Sequence, residues 1–141
     1  MINKRFLKFV LWRELIIASR FGSVGIVATA AHIMVVWILL KETGITPIFA
    51  NTIAFLVAFL ISFAGNYLWT FRSPGSPRRA MFRFFVIAIF AFASNTLLLA
   101  LLVHEGWFPP IISAVLSASV VPAISFVASR LWGFKGDKEF V

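Results

Sequence analysis

Ile61 to Arg72 reads ISFAGNYLWTFR, and 63 residues later Ile124 to Lys135 reads ISFVASRLWGFK. Ile, Ser, Phe, Leu, Trp and Phe recur in register. Extending the same offset outward lays Arg20–Arg72 over Arg83–Lys135 without a gap, with 16 of 53 positions identical. The matches include Arg20/Arg83, Phe21/Phe84, Glu42/Glu105, Pro47/Pro110 and Ile48/Ile111. Apolar composition alone rarely reproduces matched charges and prolines, so the chain reads as one unit present twice.

Each unit is expected to be a membrane hairpin. A mean hydropathy of +0.98, with 61% hydrophobic and 13% charged residues among 141, lies outside the range of soluble domains. The excess falls in four apolar stretches: Phe21 to Leu40, Ile48 to Trp69, Phe84 to Val103 and Ile111 to Leu131. A helix of about 20 residues spans a hydrocarbon core of about 30 Å. The runs are continuous rather than alternating, which predicts helices instead of a barrel. The fold class is therefore all-α, with four transmembrane helices built as two tandem two-helix repeats of the same topology.

Charge sets the orientation. Lys4, Arg5, Lys8, Arg13 and Arg20 precede the first span, and Arg72, Arg78, Arg79 and Arg83 lie between the second and third. Arg130, Lys135 and Lys138 end the chain, and Lys41 alone lies on the other side. Twelve against one is a positive-inside bias that predicts both termini and the middle segment in the cytoplasm, the protein lying in the cell's inner (cytoplasmic) membrane. Anionic headgroups account for the net charge of +8, so nucleic acid is not expected as a partner. The expected divisions are a basic interfacial segment over 1–19, read as a short helix, repeat one over 20–72 and a cytoplasmic linker over 73–82, with RSPGSPRR (Arg72 to Arg79) joining the two hairpins. Repeat two follows over 83–135, then a tail over 136–141.

Small and polar residues mark the helix faces expected to pack. Helical spacing groups Gly22, Gly25, Thr29 and His32 on the first helix, and Asn51, Ala54, Ala58, Ser62, Gly65, Asn66 and Trp69 on the second. Ala88, Ala91 and Asn95 mark the third, and Ala114, Ser117, Ser125, Ala128, Ser129 and Trp132 the fourth. His32 and Asn95 occupy equivalent repeat positions near mid-span. There a polar group needs a partner or water: a hydrogen bond between them satisfies it, or they form a polar patch for a sugar headgroup. Asn66 and its repeat counterpart Ser129 are candidates to hold a polar group nearer the inner side. Arg20, Arg72, Arg83 and Arg130 form a cationic rim whose planar guanidinium groups suit a lipid phosphate, although topogenic charge snorkelling to headgroups explains any one of them as well. Pro122 stands in the fourth helix where the first repeat has Phe59, which predicts a kink and unequal repeats.

No Asp or Glu lies within the spans, cysteine is absent, and no carboxylate pair, metal-ligand set, phosphate loop or activated serine is visible. The expectation is a non-enzyme without cofactor or metal. A small multidrug exporter would need the missing intramembrane carboxylate.

The residues resemble the GtrA-like family of small four-helix membrane proteins of cell-surface polysaccharide synthesis. The carriers are RFGSVG (Arg20 to Gly25), ISFAGNYLWTFR, the RFF opening of the third helix with Asn95 inside it, and ISFVASRLWGFK. Asn66, Trp69, Phe71 and Arg72 match the family's asparagine and aromatic-basic tail, whereas the second copy departs with Ser129. The resemblance implies movement of a polyprenyl-phosphate-linked sugar, made by a partner glycosyltransferase, to the outer face. The alternative is a non-transporting anchor or accessory subunit for that enzyme. Four helices enclose little volume, so a homo-oligomer is expected.

Overall fold

The computed structural model describes residues 4–136; residues 1–3 and the tail beyond Gly136, with Lys138, lie outside the described residues. Four helices follow one another: α1 (Lys4–Glu42), α2 (Pro47–Gly65), α3 (Pro77–Glu105) and α4 (Pro110–Ala128). A π-helical turn continues α2 over Asn66–Thr70 and another continues α4 over Ser129–Gly133. All four are long and apolar enough to cross a bilayer, and no strand occurs among the described residues. The protein is a multi-pass membrane protein.

The chain divides between Arg72 and Ser73 into two compact units, each a helical hairpin. In the first, α1 packs on α2 and its π-turn; in the second, α3 packs on α4 and its π-turn. Proline opens α2, α3 and α4, where the missing N–H is one of the unpaired helix-start donors in any case. Gly106 closes α3 at φ 67°, a left-handed conformation that side chains resist and glycine accepts.

Each hairpin buries the same positions. Val24, Ala28, Ala50, Ala54, Asn66 and Thr70 are buried in the first. Their counterparts 63 residues on, Ile87, Ala91, Ser113, Ser117, Ser129 and Gly133, are buried in the second. The α1 face thus differs from the small-residue stripe expected from sequence. Gly22 and Thr29 are exposed, and a Cβ at Gly22 or Gly25 would meet nothing within 4 Å. Thr29 donates its hydroxyl to Gly25 O at 2.9 Å, which removes its need for an interhelical partner. Asn51 and Ala114 are exposed for the same reason of rotation, since the buried line passes one residue earlier through Ala50 and Ser113.

Three boundaries also move. The basic segment is no separate helix: α1 runs unbroken for 39 residues, about 58 Å at about 1.5 Å per residue, so its first turns extend beyond the hydrocarbon. Residues 77–82, expected as linker, are the opening turns of α3. α4 continues through Pro122, whose side of the helix is exposed.

Candidate functional site

The repeated motif folds as a clasp at the basic end of each hairpin. Phe71 N donates to Asn66 O at 2.9 Å, a bond spanning five residues that closes the first π-turn. The wider turn brings Trp69 under Arg20: the guanidinium lies 5.4 Å from the indole centroid and donates to Trp69 O at 3.3 Å. The cation thus meets the π-face and a carbonyl that the wider turn presents. Phe21 packs against Phe71, with ring centroids 6.1 Å apart. Gly65 makes the close approach possible, because a Cβ there would lie 2.8 and 2.9 Å from the two Cγ atoms of Val24.

The second hairpin builds the same device. Phe134 N donates to Ser129 O at 2.9 Å. Arg83 lies 5.6 Å from the Trp132 centroid and donates to Trp132 O at 3.3 Å. Phe84 and Phe134 are 5.3 Å apart. Arg83 also donates to Lys135 O at 3.3 Å, so its guanidinium is given over to backbone more fully than that of Arg20. Ser73 donates to Phe134 O at 3.0 Å, and Pro74 fills the space beside Gly136 that a Cβ would need.

In the first hairpin the corresponding flank is open. A groove of about 430 Å³ lies between the N-terminal turns of α1 and the end of the π-turn, lined by Phe9, Trp12, Arg13, Ile16, Ile17, Arg20, Thr70, Phe71 and Arg72. It gathers three arginines and no carboxylate. Arg72 holds φ 46°, the one non-glycine residue with positive φ among the described residues. A side chain in that region costs on the order of 1–2 kcal/mol, sustained by the surrounding structure.

Each hairpin also holds polar atoms withdrawn from water. Asn66 is 1% exposed; its Nδ2 donates to Ser62 O at 2.9 Å, while its Oδ1 has no hydrogen-bond partner. Thr70 and Ser129 are likewise buried with their hydroxyl oxygens unpartnered. Such atoms cost free energy unless a ligand or water meets them, so each marks a place that can accept a polar group. Among the candidates from sequence, Arg20 and Arg72 share the groove, with Asn66 one turn from Thr70. Arg83 clasps the turn that carries Ser129 and the half-buried Arg130. His32 is half-buried on α1, and Asn95 on α3 has a buried Oδ1 without a partner. The basic residues at the clasps are thus structural and chemical at once.

Sequence reasoning missed Thr70, Trp12, Arg13 and the tryptophan partners. An arginine and a tryptophan 49 residues apart in both copies was the available signal for the clasp. Thr70, four residues after Asn66 and so on its face, was the signal for the second buried polar group.

No curated protein matches the chain. The family model described as "GtrA/DPMS, transmembrane domain" matches residues 20–134, which begin at the clasp arginine of the first hairpin and end at the clasp phenylalanine of the second. The chain therefore belongs to the GtrA/DPMS transmembrane-domain family, membrane proteins of polysaccharide and glycolipid synthesis.

Proposed function

We propose that this protein moves a polyprenyl-phosphate-linked sugar from the cytoplasmic to the outer face of the inner membrane for cell-surface polysaccharide synthesis. The observation that carries this reading is the buried, unpartnered hydroxyl oxygen of Thr70 in one groove with Arg20 and Arg72, one turn from the equally unpartnered Oδ1 of Asn66, at the basic end of an apolar hairpin. An arginine-rich rim suits the phosphate, buried polar atoms suit sugar hydroxyls, and the apolar helix surfaces leave the prenyl chain in lipid. The positive-inside bias puts both termini and the linker in the cytoplasm. A homo-oligomer would enlarge the path; crosslinking in membranes that yields monomer alone would remove this part of the proposal.

The test is headgroup accessibility of a labelled polyprenyl-phosphate sugar in proteoliposomes. The protein should accelerate transbilayer exposure. Asn66→Ala should slow it about tenfold, the effect of about 1.4 kcal/mol on the barrier, and Arg130→Ala should slow it in the same direction. No acceleration across several sugars would reject transport. The rival reading, an accessory subunit that anchors a glycosyltransferase, draws on the exposed Phe6, Trp12 and Leu15 beside basic residues on α1. It predicts that charge reversal at Arg78 and Arg79 abolishes co-purification with the enzyme while Asn66→Ala is tolerated.

A further inference from the structure

The groove of the first hairpin stands largely outside the shared domain. Phe9, Trp12, Arg13, Ile16 and Ile17 precede residue 20, where the match to the family begins, and only Arg20, Thr70, Phe71 and Arg72 belong to the repeated unit. At the clasp of the second hairpin, Ser73 donates to Phe134 O and Pro74 lies beside Gly136. Phe9, Trp12 and Arg13 belong to the ten residues by which α1 starts earlier than α3, once the 63-residue offset is applied to Lys4 and Pro77.

We infer that this groove holds an anionic phospholipid of the surrounding bilayer, its phosphate among Arg13, Arg20 and Arg72, its headgroup against Phe9 and Trp12 and the start of its acyl chains against Ile16 and Ile17. Three observations support that occupant. The lining has three cations and no carboxylate, which complements a phosphate and repels other cations. Arg13 and Arg72 make no hydrogen bond or ion pair among the described residues, and Arg20 uses one of its five N–H groups on Trp69 O, so donors remain for phosphate oxygens. Thr70, 3% exposed, adds a buried hydroxyl without a partner to the same wall. The groove also lies at the end of the apolar span, the depth at which headgroups and aromatic rings meet. Its volume accommodates a headgroup and leaves the chains to continue into lipid. This lipid shares Arg20, Arg72 and Thr70 with the path that the transport reading gives to the cargo, so the inference deepens that reading, while its retention is read without translocation.

The experiment is native mass spectrometry of the whole protein in a neutral detergent, where no membrane surface potential contributes, with phosphatidylglycerol, a prenyl monophosphate or inorganic phosphate added in turn. The wild-type protein should retain one phosphatidylglycerol. Arg13→Gln with Arg72→Gln should weaken retention about tenfold or more, whereas Arg78→Gln with Arg79→Gln, which removes the same charge, should change it less than about twofold. All four positions are exposed, so the variants should fold. As a second readout, phosphatidylglycerol with brominated chains should quench fluorescence more than its phosphatidylcholine counterpart, and Trp12→Phe should abolish that difference. Equal weakening by both arginine pairs would overturn the inference, as would displacement by millimolar inorganic phosphate. A tenfold preference for the prenyl monophosphate would also overturn it. Binding is read in detergent, where nothing is translocated, so its failure and the failure of transport are separate results.

Discussion

In the first hairpin, Phe9, Trp12 and Arg13 line a groove beside the π-turn together with Arg72; in the second, Ser73 bonds Phe134 O at the π-turn and Pro74 lies beside Gly136. The parts beneath are alike: arginine on tryptophan, phenylalanine on phenylalanine, and a five-residue hydrogen bond closing the turn. What recurs is the means of closing a hairpin in lipid, where small residues and hydrogen bonds replace the hydrophobic drive. What differs is chemistry that a ligand could meet. The first hairpin has Asn66 and Thr70 buried with unpartnered oxygens, and the second has Ser129 and Gly133 at those places. The two hairpins thus agree more closely in scaffold than in the polar groups mounted on it.

The sharpest way to break this comparison is at the close approaches. In Gly65→Ala the new methyl meets both Cγ atoms of Val24, and no rotation of a β-branched side chain clears both. The expected loss is about 1–3 kcal/mol of stability, seen as a lower thermal midpoint in detergent. Gly133→Ala meets only the Cδ1 end of Ile87 at 2.9 Å, which can rotate away, so its midpoint should fall by less than half as much. The reverse order would contradict the account of how the first hairpin closes.

The arginines give an intermediate test. Arg83→Ala removes a ring contact and two carbonyl bonds and should cost about 1–2 kcal/mol by chemical denaturation, against about 1 kcal/mol for Arg20→Ala. Phosphatidylglycerol retention should fall only in Arg20→Ala. If both variants lose lipid equally, the two hairpins are chemically equivalent and the distinction fails. The smallest expected effect is Ser129→Ala: its hydroxyl oxygen is buried and unpartnered, so stability should stay within about 0.5 kcal/mol of wild type. A large loss would mean that water or a ligand normally meets that hydroxyl.

The four spans, the 63-residue offset and the family were legible because length, charge and identity are written along the chain. The buried faces were less so. In a helix apolar on every side, lipid and protein look alike to a side chain, and an exposed threonine can hide its polarity on its own backbone as Thr29 does. Spacing therefore selected Gly22 and Thr29 where packing uses Val24 and Ala28. The Asn66/Ser129 equivalence was visible, but the isolation of their oxygens depends on burial, which no spacing reveals. The groove was hidden by a boundary: the charges at Arg13 and Arg20 suggested a break between an interfacial helix and the first span, whereas α1 passes through both.

The π-turns also set a phase. Such a turn is an α-helix that has accommodated one extra residue, and removing that residue would rotate everything after it by about 100°. Trp69 would leave Arg20, and Trp132 would leave Arg83. Both copies hold the extra residue at the same place, Asn66–Thr70 and Ser129–Gly133. A one-residue deletion within either turn would therefore separate that hairpin's tryptophan from its arginine and leave the other clasp intact.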